Sequence, residues 1–417
     1  MINYKKSINI LGKSKIIIKD EIIKSTNCIN RISASKIYAK SNHPAGDNAA
    51  FDGFAINSED TNKLNKNKTK LFKIIGMIAA GSKPLNKKIK RYQAVEIMTG
   101  GIMPKGTNTI IPIEQIIFYP NRKSPKQILL NKKIKKNQHI RLRGSDYKKN
   151  DLLIDKGIIL QSNHVLALKT LGIKNIKVKK KPNILFFSTG NEISNDEKIP
   201  DWKVRNSNSH YIDSLQKNFL FNFRYAGILK DKHELIFKKK INKFINSKID
   251  LLITSGAISA GKFDFIPSII KKFKISNYFK GVAIRPGKPI LFGKIKGKNK
   301  TIFGLPGNPI SSAACFRFFV YPYLLDILGV KKEKPIKAVL KYSFIKKRNL
   351  TRFLKSKLNT TNNGKNEVTI LKGQESFRIH SYVKSNIWVL LPSGKAKFKK
   401  GEIVDCFFQN YSNNILT

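Results

Sequence analysis

Four short apolar runs each end in residues able to do chemistry. NILFFS is followed by Thr189-Gly190-Asn191-Glu192, and YAGIL by Asp231. LLITS runs into Gly256, then Ser259, Gly261 and Asp264. TIFGL leads into Pro306-Gly307-Asn308-Pro309. Glycine lets backbone approach a ligand closely, and amides at a helix start bind anions. Carboxylates offer hard oxygens to Mg²⁺ beside a phosphate. Just before TIFGL, the segment RPGKP sets Arg285 and Lys288 on a stiff turn suited to an oxyanion. Each feature has an ordinary reading when taken alone: Asp231 and Asp264 would cap helices, Glu192 would be an exposed loop acid, and PGNP would be a turn. Their common place, after successive strands, favours a ligand edge.

That placement needs a sheet with its strand ends aligned. From Lys181 the chain alternates apolar runs with amphipathic segments, Lys232 to Ile245 among them, and PISSAACFRFFVYPYLLDIL opens on proline. The pattern predicts a parallel, doubly wound α/β domain over 181–329, with ligands beyond the carboxyl ends of its strands. Between His43 and Asp146, short β-rich runs (FKIIGMIAA, QAVEIMTGG, NTIIPIEQIIF, KQILLN) separated by turn residues predict an inserted β domain over 43–146. Apolar positions at Ile22, Ile23, Ile29, Ile32 and Ile37 fit helical spacing, as does Leu152 to Leu171. The expectation is two helical segments, 1–42 and 147–180, pairing into a linking domain. After Gly329, KAVLKYSF, EVTILKG, IWVLLP and EIVDCFF predict a C-terminal β domain over 330–417.

Composition narrows the function. The 417 residues carry a formal charge of +55, which first suggests a nucleic-acid binder. The lysines are spread along the whole length, however, and travel with isoleucine and asparagine. No helix-turn-helix or aromatic stacking motif accompanies them. A solvated basic surface, able to attract small anions, is the reading adopted. Cys28, Cys315 and Cys406 are isolated, so neither a zinc site nor a disulfide framework is implied. Lysines interrupt the apolar residues of MINYKKSINILGKSK, and no stretch suits a membrane span; a cytoplasmic protein is expected.

The strand-end motifs STGNEI, SGAISAGKFDF, IRPGKP and GLPGNP resemble the pterin-binding domain shared by molybdopterin molybdenumtransferases and molybdopterin adenylyltransferases. Upstream, HPAGDNAAFDGFAI, EIMTGGIMPKGTNTIIPIEQ, HIRLRGSDY and VRNSNSHYI resemble motifs of the molybdenumtransferases alone. The resemblance implies a homodimer that takes adenylylated molybdopterin and molybdate, cleaves the adenylate with Mg²⁺, and releases molybdenum cofactor and AMP. A separate molybdopterin adenylyltransferase would supply the substrate.

The functional residues it implies are Asp52, Thr99, Asp146, Glu192, Asp231 and Asp264, with Glu192, Asp231 and Asp264 holding the metal. Substrate contacts would come from Thr189, Gly190, Asn208, Ser209, Ser255, Gly256, Ser259, Gly261, Pro306, Gly307, Asn308 and Ser376. Molybdate would meet Arg285 and Lys288. The sequence departs from the family pattern at Ala49, Ala257, Arg285 and Lys355. A molybdopterin adenylyltransferase, or a non-catalytic scaffold of the same architecture, are the alternative readings.

Overall fold

The computed structural model describes residues 1–216, 221–230, 234–256 and 272–409. The chain divides into two compact units, Met1–Ser35, Lys156–Ser162 and Ile176–Thr417 forming one, and Lys36–Asp155 with Asn163–Asn175 the other.

At the centre of the larger unit is a six-stranded sheet, in the order Asn222–Leu229, Asn183–Thr189, Leu251–Ser255, Thr301–Leu305, Leu291–Ile295, Ile275–Lys280. The first four strands are parallel. Leu251–Ser255 and Thr301–Leu305 are buried at every position, as expected of parallel strands covered on both faces. The remaining two strands are added by antiparallel pairing, Leu291–Ile295 to Thr301–Leu305 and Ile275–Lys280 to Leu291–Ile295, and were not anticipated. ISNYFK is too polar to read as a strand, and LFGKI follows the RPGKP turn so closely that the turn masks it.

Helices Ser207–Gln216, Glu234–Ile245 and Pro309–Cys315 lie between or after these strands. The last opens on proline, whose missing N–H costs nothing at a helix start. It continues through a wider π turn at Phe316–Val320 into Tyr321–Ile327. Pro322 cannot donate to the turn before it, and the amide of Tyr321 bonds back to Phe316, so the helix is locally unwound rather than broken. The segment expected to form a helix from Asp264 lies mostly outside the described residues.

The N-terminal segment corrects the helical expectation. Only Tyr4–Lys13 is a helix there. Ile22 and Ile23 lie on the strand Asp20–Lys24, paired with Asn175–Lys179. Ile32 bridges to Ile159, and Ser33 to Val178. In the stretch 152–171, Leu152–Ile154 is a strand and only Ser162–Thr170 is helical. The two segments do pair, but through backbone ladders. Isoleucine-rich runs at mixed spacing satisfy both periods, and β-branching favours the strand.

In the second unit, six strands form one sheet in the order Thr109–Pro112, Gly53–Ile56, Gln93–Ile97, Lys70–Ile78, Gln127–Leu130, Ile117–Tyr119. Its two faces carry separate cores, one around Phe54, Phe72 and Ile128, the other around Ala55, Val95 and Ile110.

The C-terminal sheet closes on itself. Thr351–Thr360 pairs first with Ile387–Leu391 and then with Asn366–Ile370, and Ile336–Leu340 and Ile403–Phe408 complete the ring. Closure leaves no open edge among these strands. Ile284–Arg285 adds to Thr351–Arg352 in parallel. A buried ion pair, Arg317 to Glu333 at 2.6 Å, ties the long helix to the segment entering this barrel. Arg317 also donates to the Phe408 carbonyl at 2.8 Å.

The RPGKP turn packs against Cys315, the last residue of helix Pro309–Cys315. Gly287 has φ +99°, and a Cβ there would overlap Cys315 Sγ. Gly287→Ala should therefore lower unfolding stability by roughly 2–4 kcal/mol, from left-handed backbone strain plus the clash. The double variant Gly287→Ala/Cys315→Ala should recover the steric part. Equal denaturation midpoints for all three proteins would refute this.

Candidate active site at the strand ends

The carboxyl ends of three parallel strands are knitted together. Thr189 Oγ1 donates to the Ser255 carbonyl at 2.9 Å, and Gly256 N to the Leu305 carbonyl at 2.9 Å. Gly256 has φ +96°, and a Cβ there would strike the Thr189 carbonyl. Asn208, in the first turn of helix Ser207–Gln216, donates Nδ2 to Ser255 Oγ at 2.6 Å and to the Gly307 carbonyl at 2.8 Å. Ser255 Oγ in turn donates to the Pro306 carbonyl at 3.2 Å. VRNSNS is thus a helix start rather than a free turn, and Ser209 is buried with it.

Glu192 is exposed, and its carboxylate occupies the space a side chain on Gly190 would need. Asn308 donates Nδ2 to Ser376 Oγ at 3.2 Å, bringing the C-terminal barrel to the strand-end loops. Asp231, Ser259, Gly261 and Asp264, with Ala257, lie outside the described residues. Among the described residues no three His, Cys, Asp or Glu side chains cluster as a metal site.

The loop carrying Ser376 is held from inside. Lys355 is fully buried, and its ammonium donates to the carbonyls of Gly373 (2.7 Å), Arg378 (3.0 Å) and Glu375 (3.1 Å). Burial pushes its pKa down. Gln374 bonds the Lys355 backbone in both directions, accepting from its amide at 3.1 Å and donating to its carbonyl at 2.8 Å. Neither role was visible in the sequence. Lys355 looked like a replaced arginine, and three backbone carbonyls meeting on one ammonium leave no motif.

Arg285 and Lys288 are both exposed, on either side of the buried Pro286-Gly287. Arg285 lines a cavity of about 410 Å³ with Arg352, Lys372 and Glu375, whereas Lys288 does not line it.

In the second unit, Asp52 and Thr99 form a close pair. Asp52 Oδ1 accepts from Thr99 N at 2.6 Å and from Thr99 Oγ1 at 2.7 Å. Asp146 stands apart from them, its amide bonded to the His43 carbonyl at 3.1 Å. Ala49 is fully buried in the core around Ala55 and Val95.

A parallel sheet with hydroxyl, amide and carboxylate groups gathered at its strand ends, joined to a closed β barrel and accompanied by an inserted β unit, defines a multidomain α/β protein with a ligand edge. Three family models match in sequence: the MoeA N-terminal region over residues 2–172, a probable molybdopterin-binding domain over 186–326, and the MoeA C-terminal region over 337–407. The molybdopterin molybdenumtransferase of Staphylococcus epidermidis is 31% identical over 97% of this chain and 94% of its own length. That of Staphylococcus aureus is 33% identical over 90% and 88%. A molybdopterin biosynthesis MoeA protein from Pyrococcus horikoshii superposes with TM-score 0.82 at 25% identity, covering 98% of this chain and 100% of that one. The chain belongs to the molybdopterin molybdenumtransferase family.

The Asp52–Thr99 pair yields a test. The Thr99 hydroxyl, then the Thr99 amide, hold the Asp52 carboxyl below its ordinary pKa. A depressed folded pKa means that this bonding is intact above the unfolded-state carboxyl pKa and is lost as pH falls through the folded value. Thr99→Val should raise the Asp52 titration midpoint, read by carboxyl ¹³C NMR. An unchanged midpoint would show that the hydroxyl is not the controlling partner.

Proposed function

We propose that this protein inserts molybdenum into adenylylated molybdopterin, releasing molybdenum cofactor and AMP, as a cytoplasmic homodimer fed by a separate molybdopterin adenylyltransferase. The family membership supports the insertion reaction. The observation that carries the site assignment is the knitted strand-end edge, where Thr189, Asn208, Ser255, Gly256 and Gly307 converge. No described helix is long and apolar enough to cross a membrane. We assign the work to four domains, 1–42 with 147–180, 43–146, 181–329 and 330–417.

The chain's own groups suit the reaction. The substrate carries two linked phosphates, so its cleavage depends on positioning and charge neutralisation more than on a strong base. Backbone around Gly256 and Gly307, which carry no side chain, can approach the phosphates closely. Ser255 and Asn208, bonded to each other, hold the loops in register while Asn308 and Ser376 border the same edge. A Mg²⁺ fits the chemistry of the assigned donors, all carboxylates: Glu192 at the edge, with Asp231 and Asp264. When bound, it would neutralise phosphate charge. Asp52, oriented by Thr99, and Asp146 are assigned catalytic roles. Molybdate enters as substrate, drawn by Arg285 and Lys288.

An adenylyltransferase would resemble the 186–326 segment alone, whereas family matches here extend over 2–172 and 337–407 as well. A scaffold would not need the acids at Asp52, Glu192, Asp231 and Asp264.

The direct test mixes the protein with adenylylated molybdopterin, Mg²⁺ and molybdate, and follows AMP and cofactor together. Both should appear, and both should stop on chelation. Glu192→Gln and Asp264→Ala should each slow AMP release by more than roughly tenfold in folded protein. Lys288→Ala should raise the molybdate concentration giving half-maximal insertion by roughly tenfold. Failure of the wild-type protein to release AMP, or formation of adenylate from ATP and unadenylylated pterin instead, would overturn the reading.

A further inference from the structure

The cavity beside Arg285 holds a charge that the motifs did not single out. Ile284–Arg285 pairs in parallel with Thr351–Arg352, so Arg285 and Arg352 are register partners. Directly paired residues in a parallel ladder sit about 4.8 Å apart and project to the same side. Both residues line the same cavity. Arg352 is half-buried, and its Nε is shielded from solvent without a hydrogen-bond partner among the described residues. Burial, then the Arg285 charge, pulls Arg352 down to about 10. Lys346 adds a third positive charge close by, although its ammonium is already bonded to the Leu350 carbonyl at 2.7 Å.

Two adjacent arginines, one exposed and one half-buried with its Nε unbonded, repel one another, and neither is ion-paired among the described residues, although the Arg285 charge reaches Glu375. The candidate counter-charge is Glu375, which lines the same cavity, but its carboxylate is paired with Arg378 at 3.0 Å. Lys355 does not supply the cavity either, since its donors are spent on the loop carbonyls. Lys372 also lines the wall and is exposed. The cavity therefore presents two forked donors and an exposed ammonium, beside the loop that positions Ser376.

We propose that Arg352 joins Arg285 in a paired-guanidinium clamp for a tetrahedral dianion, with molybdate as its occupant. This rests on the insertion reading above and adds to it a residue outside every motif. Two planar forks side by side can each donate a pair of N–H bonds to adjacent oxygens of a tetrahedral anion, a match that two lysines cannot make. Glu375 also lines the cavity, and its pairing with Arg378 offsets its repulsion of the anion. The loop lining the cavity at Gly373–Glu375 runs on into Ser376, which Asn308 ties to the strand-end edge.

The test is equilibrium dialysis of the full chain against molybdate, without pterin, counting bound molybdenum. Arg352→Gln should weaken binding roughly ten- to hundredfold, the effect of one lost charge-assisted bond. Arg352→Lys should fall between it and wild type. Lys239→Gln, an exposed helix lysine, should bind within about twofold of wild type and so accounts for the general basic field. Molybdate should raise the thermal midpoint of wild type but not of Arg352→Gln, which should be no less stable than wild type without anion. Sulfate and phosphate, run in parallel, should compete more weakly than tungstate. Wild-type binding in Arg352→Gln, or no binding to wild type at millimolar molybdate, would overturn the clamp. If wild type and Arg352→Gln release cofactor with the same molybdate dependence, the clamp falls while the insertion reading stands. If wild type binds molybdate but releases no AMP, the insertion reading falls and the dianion site remains.

Discussion

The close approach of Gly256 to Thr189 is the constraint on which the strand-end edge depends. With no Cβ at Gly256, the Thr189 hydroxyl reaches the Ser255 carbonyl, and the Gly256 amide reaches Leu305. Two neighbouring strands are thereby fixed in height relative to a third. Asn208 can then bond both Ser255 and Gly307 from a single amide nitrogen, because the two acceptors have been brought within its reach. The loop Pro306–Asn308 inherits that position, and Asn308 passes it on to Ser376. Each link is a single hydrogen bond, worth about 1 kcal/mol alone. Their value lies in sharing partners, so that moving one group strands the next.

Much of this was legible in the sequence because each element announces itself locally. NILFFS, LLITS and TIFGL are bounded apolar runs, and their following glycines and polar residues mark where a ligand edge falls. The β runs of the inserted unit and four of the barrel strands were equally plain. What escaped was of two kinds. Strands with polar or charged residues inside, ISNYFK and TRFLKSKLNT, hide their period: Lys355 and Ser356 are fully buried where alternation would leave at least one outside. Isoleucine-rich stretches near the N-terminus fit helix and strand alike, and only partners distant in sequence, such as Ile159 for Ile32, decide between them. Among candidate site residues, a motif brings forward those close in sequence, as with Arg285 and Lys288. Arg352 is 67 residues downstream of Arg285 in number but its neighbour in the ladder, a relation the primary order does not carry.

The lysine excess also proved less uniform than composition suggests. Most lysines are exposed, but Lys300, Lys346 and Lys355 are buried and collect backbone carbonyls. An ammonium offers three donors to the oxygen-rich inner side of a loop, where a hydroxyl offers one. Burial lowers the pKa of all three, and carbonyl contacts offset the lost hydration. Net charge thus describes the surface potential but says little about which cations organise loops.

The stem at Ser33 bears on how this architecture accommodates its insertion. Ser33 N donates to the Ile158 carbonyl at 3.0 Å, and Gly157 N to the Ser33 carbonyl at 2.9 Å. The chain leaves the larger unit and returns to it at a pair of residues bonded like the base of a hairpin. Closing a loop across such a base costs entropy that grows only with the logarithm of its length, about 0.6 kcal/mol for each doubling. To the host, a long excursion therefore differs little from a short one. Elongation, trimming or exchange of the excursion would leave the host's own folding equilibrium almost untouched, so its size is free to drift over evolutionary time while the stem stays fixed.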